Sequence, residues 1–216
     1  MPAVASDEVK ATRGLSGKRG AVGSLGTMQE EAGRSARSPG ALLLIDFQYD
    51  FLADDGRMPV ARSQVEPVLA AVRTAVGRAQ AHGDLIVRVG NEFKPNDFIG
   101  NLLRRHAAIA GSAGARWDSR FDVEGSTYAP KWKADAFCNP SLQRALDDHK
   151  TERLVIAGLF TRACITATAK SAKARGYEVS LLENGTACKS DASRKAAIHR
   201  LERIGIPIRR TGAETE

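Results

Sequence analysis

The sequence contains only three cysteines among 216 residues, and no two of them are spaced as Cys-x-x-Cys. An odd number of widely separated cysteines does not make a disulfide framework, and the missing pair argues against a zinc or dithiol redox centre. The longest apolar run is about as long as one strand, and the N-terminus lacks the apolar core of a secretory signal. These absences predict a cytoplasmic protein that does not enter membranes.

Aromatic side chains are also scarce, at 6% of the residues, while the net charge is +7. The basic residues are spread along the chain and mixed with acids, without a dense basic stripe or interleaved aromatics. The composition therefore predicts a slightly basic solvated surface and no nucleic-acid partner. A weak preference for anionic substrates remains open.

Large apolar side chains are almost missing from residues 1–39, which are rich in Gly, Ser, Ala and charge. Such a segment cannot bury enough surface to offset the entropy of ordering, so we expect a disordered N-terminal extension and a domain over residues 40–212. Arg and Ser would suit an organelle transit peptide, but four acidic residues argue against it. A start codon assigned too far upstream would explain the segment equally well.

From Ala41 onward, short apolar runs alternate with segments of helical spacing, which predicts an α/β fold. The expected architecture is a Rossmann-like three-layer α/β/α domain with a mostly parallel sheet of five or six strands. Expected strands are 41–45, 84–89, 128–132, 153–157, 178–182 and 206–209; expected helices are 66–82, 98–109, 139–149, 166–175 and 190–204. No Gly-rich phosphate loop follows a strand, so no nucleotide cofactor is expected.

Three residues that can share one chemical task stand at the C-terminal ends of predicted strands: Asp46, Lys131 and Cys164. Ligands of open α/β sheets bind at that edge. A carboxylate can take a thiol proton, the thiolate can attack a carbonyl, and an ammonium or a helix N-terminus is expected to lower the thiol pKa. The alternatives are a helix-capping acid, a surface lysine and a small buried thiol. All four histidines fall in predicted helices, which weakens a Cys/His protease interpretation.

The motifs around these residues resemble the isochorismatase-like cysteine hydrolase superfamily, which includes nicotinamidases, N-carbamoyl amidohydrolases and ureidoacrylate amidohydrolases. The segment from Asp46 to Phe51 is similar to the family's D-x-Q-x-x-F, and Lys131 to Phe137 resembles K-x-x-x-S-A-F. Gly158 to Ala169 resembles G-x-x-T-x-x-C-V-x-x-T-A. All three occur in order over almost the whole predicted domain.

The resemblance implies that Cys164 is the nucleophile, Asp46 the general base and Lys131 the residue that holds both in a charged network. It implies a cis peptide at Leu159-Phe160 and an oxyanion hole made by the backbone amides of Phe160 and Cys164. It also implies a homo-oligomer, either a dimer or a tetramer. The nicotinamidase metal site, D-x-H with a further His, has no counterpart in residues 89–95, so we expect no catalytic metal.

The expected function is hydrolysis of a C–N bond in a small amide, ureide or carbamoyl compound through a thioester. Cys164 favours this acyl transfer over isochorismate cleavage, which proceeds in the family without the cysteine. The sequence departs from the family pattern at two places that bear on substrate specificity. Asp135 stands in place of the motif's serine, and Asn184-Gly185 stands where the family usually has Asp-Ala. An alternative is a binding or redox-sensing protein on the same scaffold. Candidate substrate-binding residues are Gln48, Asn91, Trp117, Trp132, Phe137 and Thr161.

Overall fold

The computed structural model describes residues 38–121 and 123–211, so almost all of the predicted N-terminal extension lies outside the described residues. Six strands form one sheet in the order β3-β2-β1-β4-β5-β6, and every pair is parallel. The strands are β1 (Gly40–Ile45), β2 (Leu85–Asn91), β3 (Thr127–Lys131), β4 (Arg153–Leu159), β5 (Glu178–Ala187) and β6 (Ile208–Arg209). The α/β fold and its parallel sheet are thus confirmed.

The centre of the sheet explains the apolar sequence of β1, whose six residues are all buried. Leu42 and Leu44 pack into one apolar cluster, while Leu43 and Ile45 pack into a second cluster. Successive side chains of a strand point to opposite faces, so this alternation shows that both faces of the sheet are covered. A strand that is apolar at every position suits only such a central place.

Helices connect the strands and cover the sheet. They are α1 (Tyr49–Leu52), α2 (Arg62–His82), α3 (Phe98–Leu103), α4 (Pro140–Asp148), α5 (Thr166–Ala174) and α6 (Asp191–Arg203). Residues of α2 belong to the first apolar cluster, whereas residues of α4, α5 and α6 belong to the second. Among the described residues, no helix is both long enough and apolar enough to cross a bilayer.

Local chemistry accounts for two helix ends that the sequence marks clearly. The Asn139 side chain accepts a hydrogen bond from the Ser141 amide, and Pro140 occupies the first turn of α4, as the sequence predicts. Gly83 ends α2 in the left-handed conformation, with φ of 68°. The prediction of a helix over residues 98–109 is wrong in its extent, because α3 ends at Leu103 and turns follow it.

Candidate active site

The three residues singled out by the motifs converge at the C-terminal edge of the sheet. Asp46 directly follows β1, Lys131 is the last residue of β3, and Cys164 lies in a π-helical turn, Thr161–Ile165, between β4 and α5. All three are buried, with exposed fractions of 1%, 0% and 9%, respectively. The structure therefore brings together side chains that are far apart in the sequence.

Lys131 is the centre of this group. Its Nζ lies 3.0 Å from Asp46 Oδ2, and it donates hydrogen bonds to Cys164 Sγ at 3.3 Å and to the Lys133 carbonyl at 3.3 Å. Its shortest contact is the hydrogen bond to Asn91 Oδ1 at 2.6 Å. A buried ammonium needs an opposite charge and acceptors for its donors, and this site supplies both. The alternative of a surface lysine is excluded.

Asp46 adopts a backbone conformation that is unusual for a residue with a side chain, with φ of 64°. Its amide donates to the Val89 carbonyl at 2.7 Å, and its own carbonyl accepts from the Gln48 amide at 2.7 Å. Left-handed residues other than glycine cost free energy and tend to occur where a side chain must be aimed. Neither carboxylate oxygen of Asp46 receives a hydrogen bond of good geometry from the described residues, so its contact with Lys131 is an ion pair.

Gln48 holds the neighbouring strand in register with Asp46. Its Nε2 donates to the carbonyls of Asn91 at 2.8 Å and Ala115 at 2.6 Å, while its Oε1 accepts from the Asn91 amide at 2.8 Å. The side-chain amide of Gln48 is thus engaged within the protein. These bonds position Asn91, and contact of Gln48 with substrate stays a prediction.

The first glycine of the third motif, Gly158, has a steric explanation. It pairs with Ile45 in the sheet, has φ of 140°, and a Cβ built on it would lie 2.1 Å from the Ile45 carbonyl oxygen. Any side chain there would push β4 away from the strand end that carries Asp46. The glycine therefore sets the distance between the end of β1, which Asp46 follows, and β4, which leads to Cys164.

The approach to Cys164 begins with Leu159-Phe160, whose peptide bond is cis. The Phe160 ring packs edge-on against Phe51, with centroids 5.6 Å apart. Phe51 was not among the predicted site residues, although the last position of D-x-Q-x-x-F marks it. Its ring supports Phe160, which lies four residues before Cys164.

Burial and mutual charge control the protonation of the group. Burial raises the pKa of Asp46, and the Lys131 ammonium offsets only part of this effect. Burial also raises the pKa of Cys164, the Asp46 charge adds to the rise, and the result is about 12. For Lys131, burial lowers the pKa, but the Asp46 and Cys164 charges outweigh it and leave the pKa raised. The Lys131 ammonium thus lies beside two groups, Asp46 and Cys164, and stabilises a negative charge on either of them.

The expectation of a lowered thiol pKa is therefore wrong for this structure. That expectation took the ammonium and the helix terminus into account, but it could not include the burial of Cys164 or a carboxylate at close range. Burial and the neighbouring Asp46 carboxylate both favour the protonated thiol of Cys164.

The remaining predicted substrate-binding residues occupy different environments. Thr161 is buried and donates to the Ala187 carbonyl at 3.0 Å, while Trp117 Nε1 donates to the Phe121 carbonyl at 2.7 Å. Phe137 stacks on Tyr177 with centroids 6.1 Å apart. Trp132, next to Lys131, is 42% exposed and therefore available to a ligand. Contact of any of them with substrate stays a prediction.

Both departures from the family motifs have structural partners. Asp135 Oδ1 accepts from the Phe137 amide at 3.0 Å, so it caps the short turn after β3. Asn184 donates from Nδ2 to Thr211 Oγ1 at 2.6 Å and accepts from the Thr211 amide at 3.1 Å. These side chains stabilise local backbone.

Histidine, cysteine and carboxylate side chains do not gather in threes at metal-binding distance anywhere in the described ranges, 38–121 and 123–211. The expectation that no metal takes part stays a prediction. Cys138, Cys164 and Cys188 are all free thiols.

Comparison with known proteins places this geometry in context. The model of the isochorismatase domain matches residues 40–212. A ureidoacrylate amidohydrolase of Enterobacter sp. (strain 638) is 27% identical over 187 residues, which cover 75% of this chain and 81% of that protein. A streptothricin hydrolase of Streptomyces noursei is 27% identical over 162 residues, which cover 74% of this chain but only 58% of that protein.

Solved structures show the same fold. Nicotinamidase from Bacillus subtilis superposes with a TM-score of 0.71 at 21% identity, covering 78% of this chain and 98% of that one. N-carbamoylsarcosine amidase from Thermoplasma acidophilum gives a TM-score of 0.70 at 20% identity, covering 82% of this chain and 99% of that one. At such identities the likeness concerns the fold.

Proposed function

The chain belongs to the isochorismatase domain family, and on that premise we propose that Cys164 attacks a small amide, ureide or carbamoyl compound to form a thioester. Relatives named as amidohydrolases cleave C–N bonds other than peptide bonds, and this chain is a hydrolase of that type. The observation that carries the proposal is the buried contact of Lys131 Nζ with both Asp46 Oδ2 and Cys164 Sγ.

In the first half of the reaction, Cys164 Sγ adds to the carbonyl carbon while the thiol proton passes to the Asp46 carboxylate. The tetrahedral adduct then expels its nitrogen, which takes the proton from Asp46, so ammonia or an amine leaves and a thioester remains. In the second half, water attacks the thioester and gives a proton to Asp46. The C–S bond breaks, and the proton returns to sulfur.

Lys131 keeps the total charge of the site constant during these transfers. Its raised pKa keeps the ammonium protonated while the negative charge moves between Asp46 and Cys164. Moving a charge within reach of one fixed cation costs far less in a buried site than creating a new anion. The raised pKa of Asp46 also makes its carboxylate a stronger base for the thiol proton.

The backbone amides of Phe160 and Cys164 are proposed to bind the oxyanion, as the family motif implies. The side chain of Asn91 can provide a further hydrogen bond to the substrate. Lys131 can only donate, so the short bond fixes Asn91 Oδ1 towards it and leaves Nδ2 as a donor. Within the described residues Asn91 Nδ2 makes no hydrogen bond, so it is available for an acceptor on the substrate. None of these steps requires a cofactor.

The test is a screen of small amides, carbamates and ureides for ammonia release, followed by Cys164→Ala on any substrate found. We expect the rate to fall by about a thousandfold or more, because the bond-forming atom is removed. Cys138→Ala is the matched control, since Cys138 lies outside the group and should leave the rate near the wild-type value. Mass spectrometry of the quenched wild-type enzyme should show an acyl adduct on Cys164.

An unchanged rate in Cys164→Ala would refute the thioester mechanism while leaving the hydrolase assignment in place. If no C–N compound is hydrolysed, the alternative of a binding or redox-sensing protein on this scaffold gains support. In that case, ligand binding without turnover should be measurable by calorimetry.

A further inference from the structure

Asp50, in α1, is a buried acid that lies outside the charged group of the candidate active site. It is only 3% exposed. In the described part of the chain its side chain accepts hydrogen bonds from backbone amides alone, at Oδ2 from Ala108 at 2.8 Å and at Oδ1 from Arg57 at 3.2 Å. A Cβ built on Gly114 would collide with this carboxyl group, so the glycine leaves the space that it fills. Buried polar groups need such partners, and here the fold supplies one for each oxygen.

The turn over residues 105–108 has a strained backbone. Arg105, His106 and Ala108 have φ values of 55°, 58° and 50°, in the left-handed region that residues with a side chain rarely adopt. Besides the buried bond to the Ala108 amide, a second tether runs from Arg57 Nη1 to the His106 carbonyl at 2.8 Å and is exposed. Strained backbone persists only where its surroundings enforce it, so the two tethers hold the turn in this conformation.

The strained turn also fixes the segment that follows Asn91. The Phe93 amide donates to the Ala108 carbonyl at 3.0 Å, and the preceding Glu92 amide donates to the Lys131 carbonyl at 2.7 Å. Residues 92 and 93 are thus fastened between the turn on one side and the end of β3 on the other. The backbone next to Asn91 is therefore held in place while its side chain contacts Lys131 Nζ.

We propose that Asp50 is a positioning residue, which acts through Ala108 and the segment after Asn91 to aim the Asn91 side chain at Lys131 and at the substrate. The inference rests on the proposed function, in which Asn91 Oδ1 orients the ammonium and Nδ2 donates to the substrate. Asp50 makes no hydrogen bond to the side chains that carry the proposed reaction, so its effect passes through the backbone. Two amide donors need two acceptor oxygens, which explains an acid at this position.

Hydrogen–deuterium exchange of the full chain, followed by mass spectrometry, tests the tether without any substrate. Asp50→Asn keeps the shape of the side chain but leaves one oxygen for two amides, so one amide loses its acceptor. Peptides covering residues 92–94 and 105–110 should then exchange about tenfold faster, while peptides of α4 keep the wild-type rate. Asp54→Asn is the matched control, because Asp54 is exposed and pairs with Arg62 at the surface, and it should leave all these rates unchanged.

A double-mutant cycle tests whether Asp50 acts through Asn91. On any substrate that the wild type hydrolyses, Asp50→Asn should lower kcat/KM about tenfold, but less than about twofold in the Asn91→Leu background, where the side chain to be aimed is gone. A general loss of stability would lower kcat/KM equally in both backgrounds. If Asp50→Asn fails to fold, the same cycle is run with Arg57→Ala, which removes only the exposed tether to His106 and should give a smaller coupling, of about threefold.

Unchanged exchange at residues 92–94 in Asp50→Asn overturns the proposal, and so does an equal loss of kcat/KM in the two Asn91 backgrounds. A wild type that hydrolyses no C–N compound would instead refute the proposed function alone. The exchange rates at residues 92–94 still decide in that case for or against Asp50 as the group that positions Asn91.

Discussion

Asn91 Oδ1 accepts a hydrogen bond of 2.6 Å from Lys131 Nζ, a shorter distance than the 3.0 Å from the same nitrogen to Asp46. The Lys131 ammonium is therefore oriented by the neutral amide of Asn91 on β2 and paired with the Asp46 carboxylate directly after β1. Because Asn91 is neutral, a substitution there can either add a charge beside Lys131 or leave the number of charges in the site unchanged.

Replacing Asn91 with Asp tests that orientation. The change puts a second carboxylate on Lys131, which then has three possible anions around it, so proton transfer from Cys164 to Asp46 becomes less favourable. We expect kcat to fall by about tenfold to a hundredfold, and the acid limb of the pH–rate profile to move to higher pH.

Asn91→Leu separates electrostatic from steric causes, because it removes the amide without adding a charge and keeps the number and branching of the side-chain heavy atoms. If the change were felt only through packing, both variants would have the same pH profile. A shift in Asn91→Asp that Asn91→Leu lacks would identify the charge as the cause.

Asp46→Asn should separate the reactivity of Cys164 towards an alkylating agent from its catalytic activity. The Asp46 charge contributes to raising the pKa of Cys164 to about 12, so its removal leaves Lys131 paired with the thiolate and lowers that pKa. Alkylation by iodoacetamide at pH 8 should then become faster than in the wild type. Hydrolysis should nevertheless decrease by about a hundredfold or more, because the proton acceptor is lost.

The measurement follows carbamidomethylation of the Cys164 peptide by mass spectrometry as pH is varied. The Cys138 peptide gives a reference rate in the same sample. Slower alkylation of Cys164 in Asp46→Asn than in the wild type would show that Asp46 activates the thiol already in the free protein, contrary to this expectation.

Gly158→Ala should reduce both stability and activity. Its Cβ would meet the Ile45 carbonyl 2.1 Å away, at a φ of 140° that residues with side chains rarely adopt, so β4 must shift relative to β1. A destabilisation of about 2 to 4 kcal/mol is expected, measured as a lower free energy of unfolding in urea. Gly77→Ala at an exposed position of α2 is the matched control, since a Cβ there meets no atom within 4 Å. Equal stability of both variants would contradict the steric account.

The sequence predicted the strands, the convergence of Asp46, Lys131 and Cys164, and the alternating helices, because these features depend on local apolar patterns and on the parallel sheet rule. It also predicted the cap at Asn139 from side-chain chemistry near in sequence. Each of these inferences needed only neighbouring residues or the position of a strand end.

The features that the sequence could not predict depend on residues that are close in space but distant in the chain. The rise in the Cys164 pKa requires burial and a carboxylate from another strand, and the engagement of Gln48 with Asn91 joins residues on different segments. The exposure of the apolar side chains of α3 also could not be predicted, since the same spacing of apolar residues would fit a helix that buries them. The contacts of the buried Asn101 side chain favour the outward orientation.

The order of the strands places β3, with its five residues and Pro130, at the outer border of the sheet, where it pairs with β2 on one side only. Lys131 reaches from this border past Asn91 to Asp46, so the sole cation of the group is supplied by a peripheral strand. Peripheral strands separate from a sheet more readily than central ones. Loss of a few hydrogen bonds there would thus separate Lys131 from Asp46 and Cys164 while the rest of the fold stays intact. Under the proposed mechanism, turnover would then report such local opening more sensitively than a spectrum of the whole protein.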